Sequence, residues 1–162
     1  MIRNIVQLFK RAKPGNDYWL VNIYAKNDGR LIFIPTGESK GKLITELDSS
    51  IELIPPFSAI DVKSMLTKAI DLCFSYRPED VSYRNNIEKS NASRAYEKKV
   101  IGHKLVSVFW NNKDGFRIEP HRKASSRGFQ VIESKVIVLK KSSDMSDVSK
   151  AILTAFAESQ AY

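Results

Sequence analysis

The chain has 162 residues, 43% of them hydrophobic, and a formal net charge of +8, which is enough length for one buried core and too apolar for intrinsic disorder. Its single cysteine, Cys73, excludes an internal disulfide framework and suits a reducing compartment. No long apolar run occurs, and Met1–Gly15 has only a short apolar patch with no small-residue cleavage site, so neither a membrane span nor a signal peptide is expected and a cytoplasmic location follows.

Tyr18–Ala25 alternates and is rich in β-branched and aromatic residues, which predicts a strand. Asp28-Gly29 predicts a tight hairpin turn, because glycine accepts the positive φ such a turn needs. The returning strand Leu31–Ile34 is expected to stop at Pro35, whose missing N–H suits a strand end. A polar loop, Thr36–Lys42, leads to a strand pair ending in Ile51–Ile54. Ser58 then reads as a helix N-cap, with Asp61 three residues on placing a carboxylate at the positive helix end. Val62, Met65, Leu66, Ala69, Ile70 and Cys73 follow the spacing of one buried stripe.

Residues 75–103 are charged and poor in large aliphatics. About Asn86–Lys98 the pattern fits an exposed helix, and the segment reads either as an insertion or as a functional edge. After it the first pattern returns at an offset of 85 to 86 positions: strand Lys104–Trp110, turn Asp114-Gly115, strand Phe116–Glu119 ending at Pro120, a loop from His121 to Gly128, strand Val136–Leu139, and a helix capped by Asp144 with Asp147 in its first turn. Its apolar stripe is Val148, Ala151, Ile152, Ala155 and Phe156. Two copies are too few for an open solenoid. The expectation is therefore α+β: a single pseudo-symmetric domain of two ββββα repeats (about 18–74 and 104–160, joined by 75–103), with antiparallel sheets and two packing helices.

The positive charge is spread along the chain and densest at 113–141, with 8 basic and 3 acidic groups. Such a field favours anionic partners, nucleic acid or an acidic protein face. Two histidines, His103 and His121, lie near Lys123 and several arginines. Two histidines and a lysine can serve a metal-free ribonuclease, but no orienting partner is identifiable, so surface histidines are expected and no enzyme. Two histidines and one cysteine do not suggest a metal, and no phosphate-loop or nucleophile motif supplies a cofactor or catalytic site. Cys73 reads as a buried thiol and Trp19 and Trp110 as packing residues at opposite ends of matched strands. The loop carrying Arg117, His121, Arg122, Lys123 and Arg127 differs from its counterpart Thr36-Gly37-Glu38-Ser39-Lys40, which suggests that it is specialised.

Lys104–Trp110, Asp114–Pro120, Arg127–Leu139 and Ser146–Phe156, with their weaker first copies, together resemble the contact-dependent growth inhibition immunity proteins (CdiI). The likeness covers 20–74 and 105–159 and departs at Ser149, where a glycine is common. It implies a cytoplasmic protein that binds and blocks the C-terminal toxin domain, often a nuclease, of a CdiA effector. The duplicated units also resemble the Whirly fold, which keeps a single-stranded nucleic-acid-binding protein as the alternative. In the immunity reading, toxin contacts are expected from Tyr76, Arg77, Tyr83 and Arg84 and from Arg117, His121, Arg122, Lys123 and Arg127. A basic toxin calls for a local acidic patch on this basic chain, and Glu79, Asp80, Glu88 and Glu97 are the candidates for it.

Overall fold

In the computed structural model the described residues are 17–81, 103–124 and 128–161. Their elements are β1 (Tyr18–Ala25), β2 (Leu31–Glu38), β3 (Ile44–Glu46), β4 (Ile51–Leu53), α1 (Ala59–Leu72), β5 (Lys104–Asn111), β6 (Gly115–Lys123), β7 (Phe129–Val131), β8 (Ile137–Leu139) and α2 (Met145–Glu158). The expected helix at Asn86–Lys98 lies outside the described residues. The architecture is α+β, with one open antiparallel sheet in the order β3-β2-β1-β5-β6-β7, β4 pairing with β2, β8 with β6, and two helices. Separate sheets were the expectation. They are joined because β1 and β5 pair along all eight residues, Tyr18↔Asn111 to Ala25↔Lys104.

The hairpins form where the Asp-Gly pairs predict them. Gly29 and Gly115 have φ of 85° and 86°. A Cβ on Gly115 would also lie 2.5 Å from Lys141 N and 2.6 Å from Leu139 O, so conformation and space both demand glycine there. The registers match at the offset seen in the sequence: Val21↔Pro35 in one hairpin and Val106↔Pro120 in the other, Thr36↔Glu46 and His121↔Val131 beyond them. From β8 onward the offset is 86, the extra residue being taken up by the helical turn Glu133–Lys135.

The strands do not stop at the prolines. β2 continues through Pro35 to Glu38 and β6 through Pro120 to Lys123. Each proline stands where its strand changes partner, β2 from β4 to β3 and β6 from β8 to β7, so the missing N–H breaks no ladder. Pro35 O still accepts from Leu47 N and Pro120 O from Ile132 N, both at 2.9 Å.

Helix α1 begins with a complete capping box, Ser58 and Asp61 bonding each other's backbone N–H, and Asp144 Oδ1 caps α2 by accepting from Ser146 N at 2.6 Å. Both stripes pack on one side of the sheet in a core containing Val62, Leu66, Ala69, Val148, Ile152 and Phe156 against Val21, Ile23, Phe33, Val106, Val108 and Ile118. Each helix hands over to the same strand position, Phe74 N donating to Thr36 O and Gln160 N to His121 O, both at 2.9 Å. Cys73 is buried and donates its thiol to Leu20 O at 3.4 Å. Ser149 is wholly buried, its hydroxyl turned back to Met145 O at 2.8 Å.

Candidate functional site

Strand alternation decides which side chains reach the helix-free face. On β1, Trp19, Val21, Ile23 and Ala25 face the helices, so Asn22 and Tyr24 face the other way, with Ser107 and Leu105 of β5 opposite them. Here a hydrogen-bonded chain crosses the sheet: Ser107 Oγ donates to Asn22 Oδ1, Asn22 Nδ2 to Glu46 Oε1, and Tyr24 OH to the same Glu46 oxygen, each at 2.7 Å. Glu46 belongs to β3, two strands away from β1, so the sheet bends β3 over this face. On the far side Phe129 of β7 meets Tyr24 edge-on at 6.1 Å, giving a small second apolar cluster with Ile32 and Leu105.

Beside that chain lies a cavity of about 350 Å³ whose wall carries three carboxylates, Glu46, Asp48 and Glu52, together with Tyr24, Ile32 and His103. Glu52 shares Arg30 with Asp28, at 3.5 and 2.7 Å. His103 is only 7% exposed, and among the described residues its Nδ1 has no hydrogen-bond partner. Burial holds the His103 imidazole below its ordinary pKa and nearby Lys26 pushes in the same direction, against Asp28, so the ring is neutral at pH 7 and one ring nitrogen is an acceptor. Three acidic residues thus share one cavity wall on a chain whose net charge is +8.

The chain that follows α1 adjoins this cavity. Tyr76 OH and Ser49 Oγ, on the cavity wall, are 3.0 Å apart, and Glu79 accepts from Lys40 N at 2.9 Å. Gly37 admits the close approach: a Cβ there would lie 2.7 Å from Leu47 Cδ2 and 3.0 Å from Tyr76 O. Leu43 and Ile44, on the same β2–β3 hairpin, are 69% and 40% exposed.

Of the residues expected at a site, Tyr76 is half-buried beside the cavity and Arg77 is exposed next to it. Tyr83, Arg84 and Arg127 lie outside the described residues. Of the expected basic loop, His121, Arg122 and Lys123 belong to strand β6 instead. Arg117 sits within β6, paired with Glu119 and Glu133, and its charge is spent there. The histidines are not on the surface: His121, like His103, is 7% exposed. The His121 ring stands edge-on to Phe129, and its Nδ1–H donates to Glu119 O at 2.9 Å, since only a protonated nitrogen can bond a carbonyl. Among the described residues of that group, Arg122 and Lys123 are the exposed ones, at the end of β6. Trp19 and Trp110, placed at opposite ends of matched strands, meet because those strands run antiparallel, and their rings stack 6.2 Å apart.

The acidic patch is also elsewhere than expected. Glu88 and Glu97 lie outside the described residues, as does the side chain of Asp80, and Glu79 is occupied with backbone N–H groups. Sequence reading passed over Glu46, Asp48 and Glu52. The legible signal was their even spacing, which puts carboxylates on one side of an extended chain, where the second copy has Val131, Glu133 and Val138. Among the described residues no three His, Cys, Asp or Glu side chains converge to hold a metal ion, and no helix is long and apolar enough to cross a membrane.

No protein-family model matches the chain, and no curated protein matches it. Solved structures do. The fold is similar to that of a Neisseria meningitidis protein of unknown function, with a TM-score of 0.67 and 11% identity over 88% of this chain and 95% of that one. It is also similar to a chain of the CdiA-CT/CdiI toxin and immunity complex from Yersinia pseudotuberculosis, with a TM-score of 0.64 and 12% identity over 89% of this chain and 98% of that one.

Proposed function

We propose that this chain is an immunity protein that binds and neutralises the C-terminal toxin domain of a cognate contact-dependent growth inhibition effector, in the cytoplasm and without enzymatic activity. The observation that carries the reading is the fold likeness to a chain of a toxin and immunity complex over nearly the whole of both chains. The open face supports it. Exposed Leu43 and Ile44 stand beside a polar, acidic cavity, the mixture of apolar anchor and charged surround that protein partners use.

In this reading the chain is one domain of two ββββα units with a Whirly-like arrangement, and the matching registers at offset 85 support the duplication. Toxin contacts come from Tyr76, Arg77, Arg122 and Lys123 among the described residues, and from Tyr83, Arg84 and Arg127 beyond them. The single-stranded nucleic-acid alternative is less well supported, because carboxylates of Glu46, Glu52 and Glu119 occupy the face that would meet phosphates. Co-expression with the terminal domain of the effector encoded beside this chain is the test. Surviving cells and a stable complex are expected; death while the protein is soluble and folded ends the reading. Tight, salt-sensitive binding of single strands by the purified protein would favour the alternative instead.

A further inference from the structure

We propose that the connection from β4 to α1 is a docking surface for the toxin partner, apolar at its centre and matched to a basic surface around it; the assignment rests on the immunity reading. The first observation is exposure. Ile54 and Ile60 are 66% and 77% exposed, and Pro55 and Pro56, which follow Ile54, face solvent as well. One exposed isoleucine needs no explanation, but four exposed apolar residues on one short connection mark a place where a partner removes them from water.

The second half of the chain supplies the comparison. Leu53 pairs with Leu31 as Leu139 pairs with Phe116, and Ser58 caps α1 as Asp144 caps α2. Ile54 and Ile60 therefore stand where Lys140 and Ser146 stand, and the two prolines where Lys141 and Ser142 do. The same strand end and the same helix start form there with lysines and serines, so neither needs apolar side chains. Nor does Ile60 serve its own helix, because a β-branched residue in an exposed first turn packs little and has a slightly unfavourable propensity. The apolar surface is thus one that the fold does not require.

Charge selects the partner. Arg30, beside Leu31 at the strand end, is held by Asp28 at 2.7 Å and Glu52 at 3.5 Å. Lys63, one turn beyond Ile60, is held by Asp144 at 3.5 Å, and Asp61 turns its carboxylate to Ser58. Four carboxylates thus surround the patch against two cations, on a chain whose net charge is +8. A second copy of this chain would bring the same carboxylates against themselves, whereas a basic toxin surface with an apolar anchor complements them. The patch also continues from Tyr76: Ser49 is its hydrogen-bond partner, and the exposed residues Ser50, Glu52 and Ile54 lead on from there.

The test is the Ile54→Lys/Ile60→Ser double variant, which carries over the residues of the second half, with Val138→Glu as the control. Val138 is 64% exposed and holds the position on β8 that Glu52 holds on β4. All three side chains are exposed, so folding is retained, as thermal melts will check. The double variant is expected to bind the toxin domain about tenfold more weakly or worse, and the control to bind it as the wild type does. Unchanged affinity in the folded double variant, or an equal loss in Val138→Glu, overturns the proposal and leaves the immunity reading standing. The wild-type protein alone is expected to sediment as a monomer; a concentration-dependent dimer that the double variant abolishes makes a second copy the occupant and overturns the proposal. A wild-type protein that binds no toxin ends the immunity reading, and the proposal with it.

Discussion

Ser107 donates its hydroxyl to Asn22 Oδ1 at 2.7 Å across the β1–β5 seam, and the two residues are 85 positions apart, the same offset at which the two halves of the sequence match. A residue paired with its own counterpart lies where the proposed internal two-fold would pass. The two differ in chemistry because they differ in what lies beyond them. Asn22 also donates to Glu46, and the serine hydroxyl, with one proton, is already committed to Asn22. Ser107→Ala removes one neutral hydrogen bond and should cost about 1 kcal/mol. Asn22→Ala leaves a buried hydroxyl without its acceptor and a carboxylate without one of its donors, and should cost about 2–3 kcal/mol. Urea unfolding of both single variants and the double one measures this. Equal costs would mean that the polar chain does not extend to Glu46.

Trp19 and Trp110 are stacked with an interplanar angle of 12°. Indoles that close and that parallel should couple electronically, giving an exciton couplet in the far-ultraviolet dichroism. Trp19→Phe and Trp110→Phe should each abolish it while the helical signal stays. A couplet that survives either change would show that β1 and β5 are not paired in this register.

Lys63 of α1 reaches Asp144 Oδ1 at 3.5 Å and Ser146 Oγ at 3.3 Å, so one side chain links the body of the first helix to the cap of the second. Ser58→Ala dismantles the capping box and should cost about 1 kcal/mol. Asp144→Ala should destabilise in the same direction, and Lys63→Ala far less, because exposed ion pairs contribute little. Thermal melts rank the three; Lys63→Ala as costly as Ser58→Ala would contradict the ranking.

Burial holds the His121 imidazole below its ordinary value of 6.5, and Glu119 only partly offsets this. The unfolded chain then binds the proton more readily than the folded one below about pH 6.5, so stability is complete above that pH and is lost as the pH falls. His103 is shifted the same way. The cap carboxylates of Asp61 and Asp144 are held below 3.8 by their backbone partners and do not titrate in this window. The urea midpoint should therefore drop between pH 7 and 5, and His121→Gln should reduce the slope. An unchanged slope in that variant would show that another group titrates.

What could be read along the chain were features encoded within a few residues. The Asp-Gly turns, the alternation of Tyr18–Ala25, the Ser58 and Asp144 caps and the two helical stripes each follow from side-chain period and backbone preference, and all stand in the structure. The prolines misled because their cost depends on the partner strand, which sequence neighbours do not specify. His103 and His121 misled for the same reason: a polar residue at a strand end looks solvated until a distant segment, here Phe129 against His121, covers it.

The two hairpin turns, the helix starts and the helical stripes are thus written in the residue order, since turn chemistry, capping and hydrophobic period act over one to four positions. Folding in three dimensions was needed to join both halves into one sheet through β1 and β5, to bring Trp19 against Trp110, and to bend β3 over the open face. The site belongs to that second group. Glu46, Asp48 and Glu52 come from one short stretch, but His103 reaches them from the far side of the chain's middle segment. A cavity made by residues remote in sequence depends on long-range strand pairing, which local preference leaves open.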